Sequence, residues 1–138
     1  MRVTPDTNVL VRLIVNDDPV QGLAAFQALE CAAPVAISVK ALCELVWVLR
    51  SRYGMPRGEI TAAIRNLIAT RTVVADRPAI EAGLTMLEAG GDFADGVIAF
   101  EGRRLGGETF VSFDRAAIKR LGVQGFSARL LTSEADAR

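Results

Sequence analysis

The sequence predicts an α/β sandwich with a largely parallel sheet. Short apolar strand segments alternate with helix-length segments in the order strand, helix, helix, strand, helix, helix, strand, helix, helix, strand, helix, with a candidate edge strand at the end, and such alternation marks this class. Size agrees: 138 residues, 51% of them hydrophobic, suit one domain of ordinary size with a proper core.

Each element has a local reason. Arg2 to Thr4 reads as a first strand, which Pro5 ends or places at an edge because proline has no N–H for a sheet ladder. Helix one follows through NVLVRLIVN. Asp18 caps the next helix with Pro19 at its first position, and that helix runs to about Leu29. Val35 to Ile37 is the second strand, after which Ser38 caps a long helix to about Tyr53, closed by Gly54 and Pro56. A further helix spans roughly Arg57 to Thr70, and Val73 with Val74 forms a short buried strand. Asp76 and Pro78 open a helix to about Glu88, which Gly90 and Gly91 end. The next helix starts near Asp92 or Phe93 and reaches Leu105, and Gly106 with Gly107 turns the chain into the strand Thr109 to Phe113. Asp114 follows at once. Ala116 to Leu121 is a short helix, Arg129 to Leu131 the candidate edge strand, and residues 132–138 read as a frayed tail.

Composition excludes several chemistries. The chain has no histidine, so histidine acid–base pairs, His-ligated zinc and histidine nucleophiles are ruled out. Sixteen basic and sixteen acidic residues cancel, so bulk charge makes no case for a nucleic-acid binder working through overall positive charge. Were Asp6, Glu44, Asp95 and Asp114 gathered in one metal-neutralised pocket, sixteen bases would face twelve acids over the rest of the chain. All of those bases except Lys40 and Lys119 are Arg, the side chain suited to bidentate phosphate contacts. Cys31 and Cys43 are too few for a disulfide framework and lack metal-ligand spacing, so they read as buried thiols in a reducing compartment. Arg12 interrupts the apolar run from Val9 to Val15, and no segment approaches the ~20 apolar residues of a membrane span, which makes a cytoplasmic setting the expectation.

The acids that follow strands are the candidate chemistry. In open parallel sheets reactive groups gather at the carboxyl ends of the strands. Asp6 lies just past strand one, Glu44 in the second turn of the helix that follows strand two, and Asp114 just past TFVSF. Asp95 sits in the first turn of a helix, where the positive dipole end favours an anion, with Asp92 three residues earlier either sharing its face or capping the helix. Asp6 and Asp114 also read as helix caps. Glu44 does not, because Ala41, Leu42, Leu45, Val46, Trp47 and Val48 surround it and a carboxylate on an apolar helix needs a cation, either a metal or an Arg such as Arg12. Carboxylates packed without metal repel one another, so metal-free protein is expected to show raised carboxylate pKa values and metal to stabilise the fold.

In order and spacing, PDTNVLVRLIVNDDP, AISVKALCELVWVLRSRYG, GDFADGVIAFEGRRLGG and TFVSFDRAAIKRLG resemble the PIN domain, and within it the VapC-type toxins of bacterial toxin–antitoxin pairs. The likeness covers nearly the whole chain. It implies a single domain over residues 1–138, a three-layer sandwich with a central, mainly parallel sheet of four to five strands flanked by helices. It also implies that Asp6, Glu44, Asp95 and Asp114 bind Mg²⁺ or Mn²⁺ for hydrolysis of RNA, with Asn8, Asp92 and Ser112 as accompanying polar positions. In-line attack by water would leave a 5′-phosphate and a 3′-hydroxyl. Arg50, Arg52, Arg57, Arg103 and Arg104 are the candidate phosphate contacts, and few aromatics are available for base stacking because most Phe residues are expected in the core. A small cognate antitoxin and a homodimer are the implied partners. Trp47, Val48 and the helix from Arg57 to Leu67 offer apolar surface for them, or else belong to the core. The chain departs from the family pattern at Pro5, where an apolar strand residue is usual, and at Gly96, where alanine is often found and a looser helix turn is expected.

Two other readings compete. A receiver domain or a haloacid-dehalogenase-like phosphatase also uses an Asp after strand one. Both need a Lys after a late strand, however, and neither Lys40 nor Lys119 directly follows one. The second is a PIN-like protein that acts by binding a partner, its acids serving as caps or as a docking pocket for Arg.

Overall fold

The computed structural model describes residues 1–132, so the segment read as a tail lies, from residue 133 on, outside the described residues. The elements are α1 (Thr7–Ile14), α2 (Pro19–Glu30), β1 (Val35–Ile37), α3 (Val39–Ser51), α4 (Arg57–Ala69), β2 (Val73–Ala75), α5 (Arg77–Glu88), α6 (Phe93–Arg104), β3 (Phe110–Ser112), α7 (Arg115–Val123) and β4 (Ala128–Leu130). They fall into two compact units, the first ending at Arg77 and the second beginning at Pro78.

In the first unit β1 and β2 pair in parallel, from Val35 opposite Val73 to Ile37 opposite Ala75. Arg2 to Thr4 was expected as a full strand and contributes a single parallel bridge, Val3 to Val35. Its ladder is limited to Val3 N–H donating to the Pro34 carbonyl at 3.2 Å and Ala36 N–H to the Val3 carbonyl at 2.9 Å. Pro5 has no N–H to extend it, and Asp6 already caps α1. On α3 the buried residues are Ala41, Leu42, Leu45, Val46 and Leu49, a stripe at helical spacing. Each fully buried Leu there stabilises the unit by roughly 1.5–3 kcal/mol. Ser38 holds the helix start, its hydroxyl accepting from Ala41 N–H at 3.1 Å. The expected cap of α2 is also present, Asp18 accepting from Gln21 N–H at 3.0 Å.

In the second unit β3 and β4 pair in parallel, from Phe110 opposite Ala128 to Ser112 opposite Leu130, with α7 as the crossover between them. Met86, Ala99 and Leu121 form a core cluster against which Phe110, Phe126 and Ala128 pack. The α5–α6 crossing is close because two glycines face it. A Cβ on Gly83 would lie 2.6 Å from the Phe93 ring, and one on Gly96 would strike the Ala82 carbonyl oxygen and lie 2.8 Å from Met86 Cβ.

Several expectations are corrected. Instead of one sheet of four to five strands, the described residues form two separate two-stranded parallel sheets, β1–β2 and β3–β4. The strands are three residues each, too short for long ladders. Cys31 is exposed and Cys43 half-buried, not two buried thiols, since Cys31 is the C-cap where α2 ends at the surface. Phe93 is fully buried and Phe110 and Phe126 pack against the core cluster, whereas Phe26 is 52% and Phe113 73% exposed, so the Phe residues divide between core and surface. Trp47 is 64% exposed, off the buried stripe of α3, which places it on the surface side of the two readings. On α4, Ile60, Thr61, Ile64 and Ile68 turn inward and are core. Among the described residues no helix is long and apolar enough to cross a membrane.

Candidate functional site

In the first unit Asp6 is an exposed N-cap, its Oδ1 accepting from Val9 N–H at 2.9 Å. The cap fixes the carboxylate at the positive end of α1, where an anion is favoured. Glu44 is exposed, contrary to the expectation of a carboxylate stranded among apolar neighbours. Of those neighbours Ala41, Leu42, Leu45 and Val46 lie on the buried stripe of α3, and Glu44 points away from it toward Thr7, whose hydroxyl donates to Glu44 Oε2 at 2.7 Å. Its expected alternative partner, Arg12, is engaged elsewhere: Nη1 binds Asp17 Oδ1 at 2.8 Å and Nε donates to Gln21 Oε1 at 2.9 Å. Tyr53 Oη donates to the other Asp17 oxygen at 3.0 Å. That bond is the largest effect; it outweighs the opposing effect of burial and, with the hydrogen bond and charge of Arg12, holds the Asp17 carboxyl below the usual range. Asn8 and Arg52 are exposed beside these groups.

In the second unit the acids influence one another. Asp92 caps α6, accepting from Ala94 N–H at 3.0 Å. Asp114 caps α7, accepting from Ala116 N–H at 2.9 Å and Ala117 N–H at 3.2 Å. Ser112 Oγ in turn accepts from Asp114 N–H at 3.0 Å and steadies the cap residue, which gives this accompanying position a structural task. Asp95 is half-buried in the first turn of α6. Burial first, then the negative charges of Asp92 and Asp114, push its carboxyl above the ordinary Asp range, and among the described residues no hydrogen bond opposes them. Among the described residues no three Asp, Glu or Cys side chains stand as a ready-made metal cluster, and the capping bonds turn one oxygen each of Asp92 and Asp114 toward backbone. The donor set is nonetheless chemically suited to a hard divalent cation. It is all carboxylate oxygen, and a positive charge would offset the burial and, after it, the repulsion from Asp92 and Asp114 that raise Asp95.

The candidate phosphate contacts are divided between the first unit (Arg50, Arg52, Arg57) and the second (Arg103, Arg104). Arg50 and Arg52 are exposed at the end of α3, and Arg57 is half-buried at the start of α4. Arg103 lies over the Phe126 ring at 3.9 Å and Arg104 over Phe100 at 4.5 Å, so both are partly committed to aromatic faces. The residues missed from sequence are Thr7, which anchors Glu44, and Asp17 and Tyr53, which anchor Arg12. The position of Thr7 directly after a capping Asp was a signal for the first. For the second, Asp17 lies only five residues from Arg12, whereas Tyr53 is 36 residues from Asp17 and nothing local indicated it.

The observed capping task of Asp114 and its candidate role toward a metal separate by mutation. Asp114→Ala removes the α7 cap and lowers stability by about 1–2 kcal/mol in denaturant unfolding, whereas Asp114→Asn keeps a cap and stays within a few tenths of a kcal/mol of wild type. Any loss of metal response in the Asn variant then reports charge alone.

Compared with known proteins, residues 3–123 match the family model of the PIN domain. No curated protein matches the chain.

Proposed function

The chain belongs to the PIN domain family, whose model matches residues 3–123, and from that premise we propose that it is a Mg²⁺- or Mn²⁺-dependent endoribonuclease acting as the toxin of a VapC-type toxin–antitoxin pair. The observation that carries the metal-dependent part is Asp95, a half-buried carboxylate with two negative neighbours and a proton held above its usual range. Such a group is suited to a site completed by a cation. Asp6, Glu44, Asp95 and Asp114 are the proposed metal-binding residues. Bound there, Mg²⁺ or Mn²⁺ would acidify water and neutralise charge on the scissile phosphate. The chain's own part is to hold the acids ready: Thr7 orients Glu44, and the α7 cap with Ser112 orients Asp114.

Asp92 is proposed to accompany Asp95 and Asn8 to accompany Asp6. RNA as substrate, a small antitoxin and a homodimer are carried over from the resemblance. The exposed Trp47, together with Val20, Leu23 and Phe26 at 80%, 57% and 52% exposure on α2, supplies apolar surface that supports a protein partner. The capping bonds of Asp6, Asp92 and Asp114 favour the alternative, a catalytically weak PIN-like protein that acts by binding.

Calorimetric titration of Mn²⁺ into EDTA-stripped protein, run beside RNA cleavage, tests the choice. Saturable binding in wild type that is lost in Asp95→Asn, accompanied by RNA cleavage, is the expected result. No Mn²⁺ binding and no cleavage by wild type would leave the binding-only reading.

A further inference from the structure

Building on the ribonuclease reading, we propose that the groove between α1 and α3 holds the RNA strand next to the scissile bond, with the Arg52 guanidinium taking a backbone phosphate. The groove encloses about 220 Å³ and is lined by Thr7, Asn8, Arg12, Val48, Arg52 and Tyr53, among others. One end is Thr7, whose hydroxyl is bonded to Glu44, and the other carries two guanidinium groups. Along α3 the distance from Glu44 to Arg52 is eight residues, about 12 Å at the helical rise. A strand following the groove thus runs from the acidic end to the cationic end.

Charge decides which cation is available. Arg12 is matched by Asp17 at 2.8 Å and held further by Gln21, and Tyr53 locks Asp17 from the other side. These bonds make Arg12 a fixed wall and a positioning residue. The Arg52 side chain has no hydrogen bond or ion pair among the described residues, so it leaves the groove with an uncompensated positive charge. Val11 and Val48 provide an apolar floor between the ends. A volume below the roughly 300 Å³ where drug-sized pockets begin suits a sugar–phosphate unit rather than a whole stacked nucleotide. Arg52 is also the C-cap of α3, where a cation complements the helix dipole. That role affects stability alone and would leave the salt dependence of RNA binding untouched.

The test uses the full chain with an Asp95→Asn background in Mg²⁺, which on the ribonuclease reading binds without cutting. The readout is fluorescence anisotropy of a labelled, mixed-sequence single-stranded RNA across a series of NaCl concentrations. Adding Arg52→Ala is expected to weaken binding about five- to tenfold and to reduce the log–log salt slope by about 0.7, one phosphate contact on a single strand. Arg52→Lys retains most of the slope, and Arg71→Ala, which removes an exposed cation outside the groove, changes neither quantity. In otherwise wild-type protein Arg52→Ala raises KM with kcat unchanged. Unchanged affinity and slope in Arg52→Ala overturn the groove even if wild type cleaves RNA. An Arg52-dependent slope in a protein that cleaves with no metal upholds the groove and overturns the metal-dependent mechanism, and absence of RNA binding overturns both the groove and the ribonuclease reading.

Discussion

Replacing Asp95 by Asn raises the melting temperature of the metal-free protein by about 1–3 °C at neutral pH, abolishes its stabilisation by Mg²⁺, and lowers metal-dependent RNA cleavage about a hundredfold or more. The three effects share one cause. The folded protein holds the Asp95 proton more tightly than the unfolded chain does, because burial and the charges of Asp92 and Asp114 disfavour the ionised form. A raised carboxyl pKa means that the folded state binds more protons than the unfolded state in the window between the ordinary Asp value, about 4, and the raised one. Stability of the metal-free wild type therefore falls as pH rises through that window and stays lower above it. Asn cannot ionise, so the variant loses this component of the pH dependence. Mg²⁺ at ten times its dissociation constant stabilises wild type by about 1.4 kcal/mol through mass action, and the variant has lost the charge that attracts it. Thermal unfolding of both proteins across pH, with EDTA or with Mg²⁺, checks every part of this.

Gly96→Ala destabilises the second unit by about 1–3 kcal/mol, the usual cost of overpacking a tight crossing. Helix propensity alone predicts the opposite, a gain of up to about 1 kcal/mol. Contact decides the sign: an added Cβ strikes the Ala82 carbonyl oxygen, a backbone atom with no rotamer to move, and comes within 2.8 Å of Met86 Cβ. Because Gly96 directly follows Asp95 in the first turn of α6, the displaced helix carries the carboxylate with it. Reduced denaturant midpoint together with weakened Mn²⁺ binding is the expected pair of observations. The residue read from sequence as loosening this turn is thus what allows α6 to sit as close to α5 as it does.

Legibility followed the range of the interactions. Asp18, Ser38, Asp92 and Asp114 bond backbone N–H groups two or three residues away, and a sequence shows such caps directly. The element order was readable for the same reason, since Gly, Pro and apolar spacing act locally. Glu44 was misplaced because its neighbours were counted along the chain and not around the helix. Leu42, Leu45, Val46 and Leu49 share the buried stripe, and Glu44 and Trp47 fall outside it. Arg12, a candidate partner for Glu44, pairs instead with Asp17 five residues on, and only the Tyr53 bond that holds Asp17 in place, 36 residues away, lay beyond local reading. The close approach at Gly96 depends on Ala82 and Met86 of another helix, which no window around Gly96 contains. The pairing of the strands was the least legible feature, since segments three residues long carry little register information.

The measurement that bears most directly on the carboxylate chemistry is cleavage of a mixed pool of structured and single-stranded RNA by EDTA-stripped protein, with and without added Mg²⁺ or Mn²⁺, beside Asp95→Asn and Asp114→Asn. Cleavage restored by metal in wild type, absent from both variants and leaving 5′-phosphate and 3′-hydroxyl ends, is the predicted result. Cleavage that persists in EDTA, or that survives in the Asp95→Asn protein, would contradict it.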